Sequence, residues 1–227
     1  MRDPSRGAPL NEFAMGERSQ ISIDDLDVTE QAGISRVVER IISHSGRIDV
    51  LVNNAGIAIP GPIEEIAEED ARAVFETNFW GPFRLIRAVL PYMRSVGSGL
   101  IVNVSSVGAR MPGRPMNAIY GLTKSAISRL SEALSAEVAS TGVRVVAVEP
   151  GMYATRVYRT RPPVQPSSPY AAMLSAYDEA LATGIANGAD PAEVGEAIAA
   201  LLDDPDPPVR LLVGDDAKRR AGAPDGR

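Results

Sequence analysis

Tyr120 and Lys124 stand four residues apart in the segment YGLTK. On a helix that spacing puts a phenol and an ammonium on one face, one turn apart. A free phenol has a pKa of about 10, so roughly one molecule in a thousand is ionised at pH 7. A neighbouring cation favours the phenolate. Lowering the pKa by about three units takes about 4 kcal/mol of differential stabilisation. A tyrosine tuned in this way is a general acid or base for an alcohol or a ketone. The pair alone is more commonly a solvated helix-surface pair, so the chemistry needs further groups. Ser106 is the first of them: it closes the run LIVNVSS, where a hydroxyl can hold a carbonyl oxygen or stabilise a developing alkoxide. Ser105 competes with it, and one of the two is expected to start a turn instead. Asn78 is the third group. It interrupts an apolar stripe of Ala71, Val74, Phe75, Leu85, Ile86 and Val89, and Pro82, four residues on, has no N–H for the Asn78 carbonyl. Two readings stay open: a kink whose free carbonyl holds a water beside the site, or a structural kink whose asparagine satisfies its neighbours.

These groups need a scaffold, and the pattern supplies one. A short strand is expected within Ser19–Val28, then a helix opening at Thr29 and closed by Gly46. A strand follows over Asp49–Gly56, buried on both faces, then a long helix from about Glu68 to Arg94. Leu100–Ser106 and Val143–Gly151 are two further buried strands, with the YGLTK helix between them running to about Ser140. One or two short helices fall within 156–203, and Arg210–Gly214 is a last strand. Such alternation means βαβ units, a parallel sheet and helices on both faces. Ligands bind beyond the carboxyl ends of such strands. The polar residues cluster there: Asn53, Asn54 and Gly56 on one strand, Ser105 and Ser106 on the next, Glu149, Pro150 and Gly151 on the third. The expected organisation is a single domain over 1–227, with an irregular start at 1–18, a substrate lid at 156–190 and a tail at 217–227.

Composition narrows the function. Hydrophobic residues at 44% and charged residues at 23% are an ordinary globular balance, so a core can form without staples. There is no cysteine, which rules out disulfides and thiolate chemistry and fits a reducing, cytoplasmic location. The one histidine, His44, reads as a C-terminal turn residue of a helix, so no metal site is expected. A net charge of −6 argues against a nucleic-acid partner. No apolar run is long enough for a membrane span.

NNAG (53–56), TNFWG (77–81), NVSS (103–106), YGLTK (120–124) and EPGMYAT (149–155) occur in that order. Together they resemble the short-chain dehydrogenase/reductase family, in its short single-domain branch. The resemblance implies a Rossmann-like doubly wound fold and hydride transfer between a nicotinamide cofactor and a secondary alcohol or ketone. It implies that Tyr120 is the catalytic acid/base, that Lys124 lowers its pKa and binds the nicotinamide ribose, that Ser106 orients the substrate oxygen and that Asn78 holds a relay water. Asn54, Ala55 and Gly56 would line the cofactor ribose and phosphates, Asp27 and Val28 would touch the adenine, and Pro150, Gly151, Tyr153 and Thr155 would flank the nicotinamide. Arg2 matches the arginine that binds the 2′-phosphate, which tilts the cofactor towards NADP(H) over NAD(H). The apolar content of the lid (Pro162, Pro163, Tyr170, Met173, Leu174, Tyr177) implies a hydrophobic small-molecule substrate. The helices carrying Asn78 and Tyr120 are the surfaces by which relatives form homodimers or homotetramers.

The family also opens with a strand, a T-G-x-x-x-G-x-G turn, a helix and a second strand, and no such segment reads here. The sheet is therefore expected to lack that first portion, and dinucleotide binding to be weak. A rival reading follows: a catalytically impaired member acting as a binding scaffold. A nucleotide-sugar epimerase, which also uses a tyrosine and lysine at this spacing, normally needs a larger C-terminal domain than the stretch after Pro150 provides.

Overall fold

A computed structural model of the chain describes residues 21–158 and 167–222. Helix α1 (Gln31–Ser45) forms where Ile34, Val37 and Val38 repeat along one stripe, and it ends where Gly46, at φ 73°, returns its N–H to the Ile42 carbonyl. His44 lies in its last turn. Strand β1 (Val50–Asn53) leads to α2 (Glu68–Phe75), a π-helical turn (Glu76–Trp80) and α3 (Gly81–Val96). Across the π turn the Gly81 N–H reaches back five residues to Glu76. Pro82 thus enters the first turn of α3, where its missing N–H is tolerated. The chain continues through β2 (Gly99–Val104), α4 (Ala118–Val138), β3 (Val143–Pro150), α5 (Ala171–Ala186), α6 (Ala192–Asp203), β4 (Arg210–Val213) and α7 (Asp215–Ala221).

The four described strands are all parallel, in the order β1-β2-β3-β4. One face carries α1, α3 and α4 over Ile101, Val143 and Val145, with Ile34, Leu85, Val89, Met93 and Leu134 interleaved. The opposite face carries α6, whose Leu201 meets Leu100, Val102, Val146 and Val148. The β3-to-β4 connection therefore crosses the opposite face to the two before it while stepping in the same direction, so its hand is reversed. No helix among the described residues is long and apolar enough to cross a membrane.

Three expectations are corrected. Residues 21–28 form no strand; a strand exists only through a neighbour's ladder, and here Asp27 instead folds its carboxylate onto the Thr29 N–H and hydroxyl at 3.0 and 2.8 Å while Leu26 and Val28 pack against the helical face. β1 is not buried on both faces: Val52 is 41% exposed, because α6 covers the strands further along the sheet. The tail read from 217 onward begins as a helix. Asp215 and Asp216 occupy its first turn and Lys218, Arg219 and Arg220 its last, each matching the sign of the helix dipole. Ala217 beneath them is fully buried.

The turn into β3 is the tightest backbone contact. Gly142 has φ 74°, and a Cβ there would lie 2.0 Å from the Gly97 carbonyl oxygen. Gly142→Ala is expected to cost about 3 kcal/mol or more in urea unfolding. Gly195→Ala, in α6 with nothing within 4 Å of its added Cβ, should instead stabilise by roughly 0.5–1 kcal/mol.

Candidate active site

The carboxyl ends of β1, β2 and β3 open onto one cleft of about 810 Å³. Asn54, Gly56, Ser106, Tyr120, Lys124, Pro150, Gly151, Tyr153 and Thr155 all line it. Tyr120 and Lys124 occupy the first two turns of α4, so one helix turn separates them as the spacing requires. Lys124 is buried; its Nζ donates to the Val104 carbonyl at 2.8 Å and lies 5.6 Å from the centre of the Tyr120 ring.

Strand alternation separates the two serines. Ser106 lines the cleft together with Tyr120, and its hydroxyl accepts from the Gly108 N–H at 3.1 Å. Ser105 faces inward and donates to the Lys124 carbonyl at 2.8 Å. Asn78 spends its side chain on its neighbours. The amide oxygen accepts from Ile57 N–H and the amide nitrogen donates to the Ile57 carbonyl, both at 2.9 Å, with Thr123 Oγ1 at 3.1 Å. It thereby clamps the turn after β1 onto α4. A Cβ on Gly56 would lie 3.5 Å from both Asn78 Oδ1 and Lys124 Nζ, so a side chain there would crowd the floor of the cleft.

Other expected site residues fall elsewhere. Asp27 and Val28 do not line the cleft; Val28 packs against Gly81. Tyr153 borders the cleft but is only 6% exposed, its ring in the core beside β3 and its hydroxyl donating to Glu193 at 2.9 Å. Ala55 sits between Asn54 and Gly56 without being a lining residue. Arg2, Pro162 and Pro163 lie outside the described residues. In the lid segment, Leu174 is buried, Met173 is exposed, and the Tyr170 hydroxyl donates to Glu64 at 2.6 Å.

Burial governs the electrostatics. It pushes the Tyr120 phenol above its ordinary value, with Tyr158 adding and the nearby Ser106 hydroxyl opposing. It also pushes Lys124 down, to about 8. The expected lowering of the phenol by the lysine is therefore not met by these groups alone: both are desolvated, and the ammonium is directed at the Val104 carbonyl and the ring rather than at the hydroxyl.

Sequence reasoning missed the charge cluster behind the site. Glu149 is fully buried at the end of β3. Arg210 donates to it from β4 at 2.8 Å, Arg110 pairs with it from the segment after Ser106, and the Ser128 hydroxyl of α4 lies 2.8 Å away. Arg210 also pairs with Glu132 at 3.0 Å. A glutamate ending an apolar run was the available signal. Asp216 of α7 was missed as well; it accepts the Met152 N–H at 2.8 Å, and a Cβ on Gly151 would strike it.

Residues 5–165 match a family model described as short chain dehydrogenase. An uncharacterized oxidoreductase of Schizosaccharomyces pombe is 42% identical over 147 residues, which is 65% of this chain and 62% of that relative's length. The crystal structure of a short-chain dehydrogenase from Streptomyces avermitilis superposes with a TM-score of 0.83 at 35% identity, covering 97% of this chain and 79% of that one. A variant of ElxO with NADPH bound superposes with a TM-score of 0.72 at 26% identity, covering 92% and 81%.

Two measurements check the site's electrostatics. Burial lowers Lys124 from 10.5 to about 8, so between these pH values the unfolded chain binds more protons and stability rises with pH; below about 8 the penalty is fully present. The stability gap between Lys124→Met and the parent should close by about 3 kcal/mol as pH rises through that window, and a pH-independent gap would refute the assignment. Glu149→Gln should destabilise by about 2–3 kcal/mol in denaturant titration, because it removes the carboxylate that Arg110 and Arg210 share while leaving Arg210 its pair with Glu132.

Proposed function

Because the chain belongs to the short-chain dehydrogenase family, we propose that it is a nicotinamide-dependent oxidoreductase that interconverts a secondary alcohol and a ketone. The observation that carries this reading is the convergence of Ser106, Tyr120 and buried Lys124 on one cleft at the carboxyl ends of the strands, with Lys124 one helix turn deeper than Tyr120. A carbonyl oxygen placed between the two hydroxyls accepts from both. In reduction Tyr120 delivers its proton to that oxygen, and Ser106 holds it as charge develops. In oxidation Tyr120 takes the proton back.

The cleft's donors suit a dinucleotide. An ammonium has three N–H donors, and Lys124 directs one to the Val104 carbonyl, which leaves donors for ribose hydroxyls. Gly56 keeps the adjoining wall free of side chain. Asn54, Ala55 and Gly56 would hold the ribose and phosphates, and Pro150, Gly151 and Thr155 the nicotinamide. The cofactor supplies or accepts the hydride. The likeness to an NADPH-bound relative favours NADP(H) over NAD(H). Exposed Trp80 and Leu122, from the two helices that flank the site, favour a homo-oligomer.

Tyr120→Phe should lower kcat on a panel of ketones by about 10²- to 10⁴-fold with KM little changed, read as oxidation of NADPH. A variant as active as the parent would overturn the role of Tyr120. Absence of cofactor-dependent turnover with every alcohol and ketone would favour the scaffold reading instead.

A further inference from the structure

The cleft differs in charge from the chain that forms it. The protein carries a net charge of −6, yet Lys124, Arg114, Arg156 and Arg220 line the cleft and, among the described residues, no aspartate or glutamate does. Two of these cations belong to the end that would take the dinucleotide. Lys124 adjoins Gly56, and Arg220 approaches Asp216, the carboxylate that holds the Met152 N–H, at 3.6 Å. Arg114 is placed differently. It belongs to the exposed segment between Ser106 and α4, where it lines the cleft beside Met111 and Asn117. Tyr158 lines the same cleft, and its ring centre lies 6.4 Å from that of Tyr120. Arg156 lies two residues before Tyr158, on a segment held by the Ala58 N–H donating to the Val157 carbonyl at 2.8 Å. Neither Arg114 nor Arg156 makes an ion pair among the described residues, whereas Arg110 and Arg210 are both committed to Glu149.

An exposed arginine facing a cleft without carboxylates is a binding group for an anion, and its planar fork matches a carboxylate. We propose that the substrate is an oxo acid or its hydroxy-acid partner: Arg114 holds the carboxylate while Tyr120 and Ser106 hold the ketone or alcohol oxygen. This rests on the oxidoreductase reading above for the second half only; the carboxylate subsite stands on the placement of Arg114. Apolar Met111 and Val157 line the same cleft and would cover the carbon chain between the two polar ends, so the expected apolar substrate becomes an apolar chain with one charged end.

The test uses matched pairs: oxo acids with the ketone one to four carbons from the carboxylate, such as levulinate, and their methyl esters. Calorimetric titration of the full chain measures binding without turnover. At least one acid should bind about tenfold or more tighter than its ester, the range of a charge-assisted hydrogen bond, and Arg114→Ala should remove that advantage while leaving ester binding within about threefold. Arg114→Lys should restore part of it. With NADPH present, the same variant should lose kcat/KM on the acid mainly through KM. Equal binding of acid and ester, binding of neither, or an advantage that survives Arg114→Ala overturns the proposal. Selective, Arg114-dependent binding without any turnover would leave the subsite standing and overturn the oxidoreductase reading.

Discussion

One buried carboxylate holds the elements around the cleft together. Glu149 has no solvent exposure, and an isolated ion there would cost several kcal/mol. It is stable only because Arg110 and Arg210 bring guanidinium groups to it and Ser128 brings a hydroxyl. Each partner comes from a different element: Arg110 from the segment that follows Ser106, Arg210 from β4, Ser128 from the helix that carries Tyr120 and Lys124. The same residue immediately precedes Pro150 and Gly151. The groups proposed to hold the substrate oxygen, move its proton and flank the nicotinamide thus share one charge centre, and none can shift without breaking an ion pair in a low-dielectric interior.

Much of this was legible from residue order. The buried strands β2 and β3 are apolar runs of the right length, and the spacing of Tyr120 and Lys124 survives folding because a helix preserves it. Pro82 foretold an irregular turn, which appears as the π-helical segment at Glu76–Trp80. The failures share a cause. A strand is a relation between segments, so β-rich residues at 21–28 do not become one without a partner ladder. A charged run such as Lys218-Arg219-Arg220 looks like a solvated tail until the two aspartates before it place it at the end of a helix with the matching dipole. The sign of the Tyr120 shift depends on burial, a property of the whole fold, and adjacency to a lysine could not disclose it.

Charge distribution links cleft and surface. An acidic protein with a cationic cleft concentrates anions where the low-dielectric walls focus the field. The proposed dinucleotide and carboxylate-bearing substrate would gain from the same field, and among the described residues no carboxylate lines the cleft to compete for the arginines. The pairing of Arg110 and Arg210 with Glu149 matters here as well: their charge is neutralised in place, so the field in the cleft is set by Arg114, Arg156, Arg220 and Lys124.

The polar contacts behind the cleft explain how residues at the start of a 21-residue helix are held to their places. Asn53 donates to Asn103 at 2.8 Å, Asn103 donates to Ser131 at 2.9 Å, and Ser131 donates to the Ile127 carbonyl at 2.8 Å, which ties β1, β2 and α4 in register. One turn nearer Tyr120 and Lys124, Ser128 bridges Ser105 and Glu149, each at 2.8 Å. Apolar packing alone would let a helix slide along the sheet by fractions of a turn at modest cost, since Val and Leu contacts are not directional. Buried hydrogen bonds permit no such slide, because each broken pair leaves a donor or acceptor without water. The two serine contacts therefore set the helix's position along its axis, and the hydroxyl of Tyr120, two turns further on, inherits that precision.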